Sequence, residues 1–202
     1  MQIDKQIELS ANRSEIKINA IFTNGSNRER EWSVWPVFQL NTADAYLGGR
    51  YSITCPVNSE SKFDGGYKVM HGLVNNPQFQ TAENGNLRVD YQYLVGKVGL
   101  DSNANWVAYC DNKTGKVFVT SFEHQKDAHY PENTSVQIWT QGRGMIYSRN
   151  KVIEYSDDPV QNPPYLEMEL LSPLHQMKPG EQAQFEYRIR MCTLPEQQQV
   201  EY

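Results

Sequence analysis

Two carboxylates and a run of aromatic rings are the residues of this sequence best suited to chemistry. In Tyr165-Leu166-Glu167-Met168-Glu169-Leu170-Leu171 apolar and acidic side chains alternate. On a strand, Leu166, Met168 and Leu170 share one face while Glu167 and Glu169 share the other with Leu171. Two carboxylates so placed stand roughly 6.5–7 Å apart at the backbone. In a concave site their repulsion raises one pKa and suits that group to general-base work. On an ordinary strand the same pattern is simply the wet face. The second cluster is Trp32-Ser33-Val34-Trp35-Pro36-Val37-Phe38-Gln39-Leu40. Indole faces beside amides are what a pyranose needs: flat apolar surface for its C–H face, donors and acceptors for its hydroxyls. A core position is the commoner fate of such a Trp. Period two sends Trp32 and Trp35 to opposite faces unless a bulge at Pro36 intervenes.

Gln39, Lys97 and Trp106 complete the candidate binding set around Glu169 and Trp35. Lys97 lies in Leu94-Val95-Gly96-Lys97-Val98-Gly99, between glycines that let the backbone come close to a ligand; the alternative is a solvated strand end. Trp106 divides between a ligand and the core in the same way. None of His71, His124, His129 and His175 stands at a metal-ligand spacing from Cys, Asp or another His, so no metal is expected. Nucleophile elbow, phosphate loop and dinucleotide turn are absent, and no cofactor is expected either.

The elements that must position these groups are strands. Ile16, Ile18, Ala20 and Phe22 alternate with polar residues within 15–23, and Ala183, Phe185, Tyr187, Ile189 and Met191 do so within 182–191. Weaker alternation runs through 32–40, 87–94, 106–109, 116–122, 135–140 and 165–171. Turn chemistry separates them at Asn24-Gly25-Ser26, Asn84-Gly85-Asn86 and Lys178-Pro179-Gly180. Residues 110–116 read as a hairpin loop, and 41–85 as a loop-rich middle. No helical stripe of ten residues occurs. The expectation is an all-β antiparallel sandwich forming a single domain over 1–194, with a flexible tail over 195–202.

With 202 residues and a net charge of −5 (19 Lys+Arg against 24 Asp+Glu), the chain has no basic stripe for nucleic acid. It has no apolar run of membrane-spanning length and no leader-like apolar segment. Cys55, Cys110 and Cys192 are too few and too scattered for a disulfide scaffold, which points to reduced thiols and the cytoplasm.

Three stretches in order carry a resemblance to the galactose mutarotase-like (aldose 1-epimerase-like) superfamily, in its bacterial, functionally unassigned branch. The segment 24–40 is similar to one ending in a His-x-Tyr-Phe-Asn-Leu box, which here reads Trp35-Pro36-Val37-Phe38-Gln39-Leu40. Val136-Gln137-Ile138-Trp139-Thr140, then Gly144 and Tyr147-Ser148-Arg149-Asn150, resembles the strand and Tyr-Thr-Gly-Asn segment. Leu166-Glu167-Met168-Glu169, then Leu174 and Lys178-Pro179-Gly180-Glu181, resembles the Leu-Glu-x-Gln and Leu-x-Pro-Gly-Glu ending.

The resemblance implies a β-supersandwich with a sugar site on a concave sheet face. Glu167 falls on the general-base position. The acid position falls on Trp35, which has no proton to give at neutral pH, and Glu169 replaces the Gln that follows the base. His129 is the substitute acid within the chain. The reading is a carbohydrate-binding protein with weak or no catalysis; the alternatives are an aldose 1-epimerase-type isomerase using Glu167, and a structural sandwich module. The resemblance also implies that the family's first third, with its substrate-binding Arg, has no counterpart here. A sheet cut there would expose apolar faces and unpaired edges. That predicts a homodimer or completion by a partner chain.

Overall fold

A computed structural model describes residues 1–195 apart from 43, 45, 47 and 83. Its strands, in chain order, are β1 (Gln2–Leu9), β2 (Glu15–Thr23), β3 (Arg30–Trp32), β4 (Val37–Asn41), β5 (Tyr51–Pro56) and β6 (Lys68–Gly72). There follow β7 (Phe79–Thr81), β8 (Asn86–Asp90), β9 (Gly96–Leu100), β10 (Trp106–Asp111), β11 (Lys116–Phe122) and β12 (Val136–Gln141). The series closes with β13 (Gly144–Ser148), β14 (Lys151–Tyr155), β15 (Tyr165–Leu170), β16 (His175–Met177) and β17 (Gln182–Thr193). Among the described residues there is no α-helix, and no helix long and apolar enough to cross a membrane.

An eight-stranded sheet in the order β1-β2-β17-β11-β10-β5-β8-β7 packs on a five-stranded sheet, β4-β15-β12-β9-β6. The named strand pairs are antiparallel, so the all-β antiparallel expectation holds. Two small ribbons, β13-β14 and β16-β3, are added to the pair. The core lies between the large sheets. Ile53, Leu87, Val89 and Val107 enter it from one side, and Val98, Leu100, Ile138, Leu166, Met168 and Leu170 from the other, all fully buried. Each contributes on the order of 1.5–3 kcal/mol by leaving water.

Several departures from the sequence reading have physical causes. The strand expected over 32–40 breaks in two. Ser172 Oγ takes the Val34 N–H at 2.8 Å, Pro36 has no N–H to give, and the chain passes from β16 as partner to β15. Trp35 is thrown outward at that break and is 49% exposed. The strand expected over 87–94 stops at Asp90, because the chain turns with Tyr93 at φ 56°. Tyr91 and Tyr93 remain buried and bond the backbone of Gln141 and Asn162. The middle read as loop carries β5, β6 and β7, and β1 went unread because its residues face water on both sides. Beyond Pro195 the expected tail lies outside the described residues.

The segment leading into β5 is fastened by charge. Arg50 donates through Nε and NH2 to both oxygens of Asp111 at 2.7 Å, and through NH1 to Asp44 at 2.7 Å. Its guanidinium lies 4.9 Å from the Tyr51 ring centre. The Arg50 hydrogen bonds hold the Asp111 carboxyl down to about 2 from an ordinary 3.8. That stabilisation is fully present above the ordinary value and is lost as pH falls through about 2. Asp111→Asn is expected to cost about 2 kcal/mol near neutrality and progressively less as the pH is lowered through this window, measured by urea denaturation across pH.

Candidate functional site

The outer face of the five-stranded sheet carries the candidate site. Because Leu166, Met168 and Leu170 of β15 are committed to the core, the pleat turns Glu167 and Glu169 to the other side. Register then sets their neighbours. Gln39 on β4 stands opposite Glu167, Glu167 opposite Trp139 on β12, Trp139 opposite Lys97 on β9, and Lys97 opposite His71 on β6. Five side chains thus form one row across all five strands, with roughly 4.8 Å between neighbouring backbones. A second row runs Val37, Glu169, Gln137, Gly99. A side chain at Gly99 would come within 2.6 Å of Thr134 and 2.8 Å of Met70, so this position must stay bare.

Glu169 ties the rows together. It is 2% exposed, and its Oε2 accepts the Trp35 indole N–H at 2.8 Å and the Lys97 ammonium at 2.9 Å. The same Lys97 Nζ lies 4.7 Å from the Trp35 ring centre, a cation–π contact. Three elements converge on that one oxygen: the 33–36 break, β15 and β9. Trp35 is consequently an exposed ring held in a fixed pose. Trp139 donates its indole N–H to Gln141 at 3.0 Å, and its ring meets His71 edge-on at 6.4 Å and Tyr155 of β14 at 6.2 Å.

Glu167 is the half-buried acid of the row, and no hydrogen bond from another described side chain reaches it. Burial first, and the Glu169 charge second, push its carboxyl above the ordinary range, with Lys97 opposing. A carboxyl whose charged form burial disfavours, beside two indoles and an amide, is able both to hydrogen-bond a hydroxyl and to take its proton. Two buried atoms near the row lack partners, His71 Nδ1 and Gln137 Oε1.

The sequence-based set therefore divides. Glu167, Glu169, Lys97, Gln39 and Trp35 do come together. Glu169 and Lys97 are engaged with each other, and Gln39 is exposed beside Glu167. Trp106 is elsewhere: it sits on β10 of the eight-stranded sheet, opposite Ser121, with the core-facing Val107 one residue on. It belongs neither to this site nor to the core cluster, because period two turns it outward. His129 is also misplaced as an acid. It is an exposed loop residue lining a different hollow of about 510 Å³ with Asp101, His124 and Tyr130. Trp139, His71 and Tyr155 were missed. The parity of Trp139 with Gln137 was readable, whereas the bulge between Val69 and His71 that sets the register of β6 was not. Among the described residues no group of His, Cys, Asp and Glu is gathered to hold a metal ion.

No protein-family model matches the sequence, and no curated protein matches it. Solved structures do share its fold. A galactose mutarotase-like protein from Lactobacillus casei ATCC 334 superposes on 94% of this chain and 63% of its own, with a TM-score of 0.54 at 11% identity. A candidate aldose 1-epimerase from Escherichia coli K12 covers 95% of this chain with 60% of its own, at a TM-score of 0.51 and 11% identity. A TPR-domain containing protein from Parabacteroides distasonis ATCC 8503 covers 94% with 30% of its length, at a TM-score of 0.56 and 11% identity. The chain spans less than two thirds of each of these structures. Its fold is galactose mutarotase-like, as the resemblance implied.

Two stability measurements probe the site directly. Lys97→Met leaves Glu169 buried and uncompensated and is expected to cost about 3 kcal/mol in urea denaturation, with the double variant Lys97→Met/Glu169→Gln recovering most of it. Glu167→Gln removes a charge that folding disfavours. It should raise the melting temperature at neutral pH, and the gain should vanish below the ordinary carboxylate range, where Glu167 is protonated in both states.

Proposed function

We propose that this protein binds a carbohydrate on the outer face of the five-stranded sheet, over the row Gln39, Glu167, Trp139, Lys97 and His71. The observation that carries the reading is the row itself. It places a free, half-buried carboxyl and an amide next to two indole faces, one of them held open by the Glu169–Lys97 pair. In this arrangement Trp35 and Trp139 carry the C–H face of the sugar, while Glu167 and Gln39 bond its hydroxyls. Lys97 acts mainly to fix Trp35, since its charge is already matched by Glu169. The galactose mutarotase-like fold supports this choice of ligand by analogy.

A second reading, an aldose 1-epimerase-type isomerase with Glu167 as base, draws on the raised Glu167 carboxyl. An acid for it cannot come from His129. The imidazole in the row is His71, three strand spacings from Glu167, roughly 14 Å at the backbone. Trp139 and Lys97 stand between the two in the row, so a sugar ring reaching both would have to lie over the Trp139 indole.

Tryptophan fluorescence and titration calorimetry with a panel of neutral aldoses and uronates test the binding. At least one sugar should shift the emission, and Glu167→Gln should weaken it by about tenfold, or ~1.4 kcal/mol. A folded protein that is silent across the panel would overturn the reading. NMR exchange between anomers tests the isomerase: catalysis should give a bell-shaped pH profile abolished by Glu167→Gln, and rates equal to buffer would leave binding alone.

A further inference from the structure

The strand β1 has a surface that the rest of the fold does not use. It closes one edge of the eight-stranded sheet and, among the described residues, pairs with β2 alone, over eight registered positions from Gln2 opposite Thr23 to Leu9 opposite Ile16. Ile3, Lys5, Ile7 and Leu9 lie on the same face as Phe22, Ala20, Ile18 and Ile16, which is the core face. The layer that covers β2 does not reach them. Ile3 is 51% exposed, Ile7 63% and Leu9 72%. Among the described residues no strand pairs with the outer edge of β1.

Natural edges are blunted by shortness, proline, bulges or repeated charge. This one is eight residues long, has no proline and runs in unbroken register; of its three charges, Asp4 and Glu8 lie on the outer face and Lys5 is the one inward device against pairing. Its outer backbone is available for strand addition.

We propose that the occupant is a second copy of this chain, added antiparallel through β1 about a two-fold axis passing by Lys5. A two-fold normal to the sheet keeps the core faces of both copies on one side, so residues of equal parity meet. In the register centred on Lys5, which pairs residues 2–8, Ile3 meets the second copy's Ile7, and Ile7 its Ile3. Gln2 meets the second copy's Glu8 and Asp4 its Gln6, so every carboxylate faces an amide. A slip of two residues in one direction sets Asp4 against the second copy's Glu8. A slip in the other sets Asp4 against its Asp4. The register centred on Lys5 is thus the one favoured by both the apolar and the acidic side chains.

Its one unfavourable pair is Lys5 against the second copy's Lys5, and that pair gives the arrangement its signature. Like charges opposite each other weaken a strand pair, and salt screens exposed charges. Association should therefore tighten as salt rises, contrary to an interface held by ion pairs. Sedimentation equilibrium of the full chain across the micromolar range should show a reversible monomer–dimer equilibrium that tightens with added sodium chloride. Ile7→Lys should give a monomer whose melting temperature, measured at concentrations where the wild type is also monomeric, changes little, since the residue is 63% exposed within one chain. An equimolar mixture of the wild type with Lys5→Glu should form the heterodimer in excess over both homodimers, resolved by native mass spectrometry. A monomer at every concentration would overturn the proposal, as would a dimer that persists in Ile7→Lys or one with no heterodimer preference.

Discussion

The pleat of β15 is the constraint on which the rest of the candidate site depends. Leu166, Met168 and Leu170 are each fully buried against the eight-stranded sheet, so the strand cannot slip by one residue without turning all three out of the core and two carboxylates into it. The direction of Glu167 and Glu169 is therefore a consequence of core packing. The same holds along the row. Val98 beside Lys97, Ile138 beside Trp139 and Leu40 beside Gln39 all face the core or pack against it, and each sends its neighbour outward. A sheet with one face spent on packing presents its polar residues in register on the other, with no separate device needed to gather them.

What is done with the two carboxylates differs because their surroundings differ. Glu169 is removed from water, and its burial is tolerated only because an ammonium and an indole N–H both meet Oε2. Glu167, two residues away, keeps partial access to solvent and receives no such donor, so its charged form is the disfavoured one. One acid is a fastener and the other is left without a hydrogen-bond donor among the described side chains. The fastener also explains an exposed tryptophan. An indole that is 49% exposed has little packing to hold it, and the Glu169 bond and the Lys97 contact fix its ring at the site's margin. A ring already immobilised loses less freedom when a ligand stacks on it.

The sequence made much of this legible wherever a strand has one wet and one dry face. Residues 15–23 and 182–191 alternate cleanly, and each is a strand. Legibility failed where tertiary partners override the local pattern. Pro36 and Ser172 together split the strand expected over 32–40, and only the second of these is remote in sequence. β1 has two wet faces and so no contrast to read. Trp106 and His129 were grouped with Glu167 by residue type alone, yet one lies on the other sheet and the other on a loop over a separate hollow. His71 joins the row only through a bulge, a backbone event that leaves no mark on side-chain periodicity.

The position that the resemblance reserves for a proton donor is held by Trp35, and its geometry argues that the replacement is more than a loss. An indole N–H has no accessible ionisation near neutrality, so it cannot serve as the acid of a ring-opening step. Here that N–H is turned toward Glu169, which leaves the ring rather than the nitrogen facing solvent. The chemistry available at the position has changed from proton transfer to apolar contact. With the accompanying Gln-to-Glu change supplying the acceptor for that N–H, the two departures from the family pattern are one coupled feature. In the carbohydrate site proposed above, they favour holding a ring over opening it.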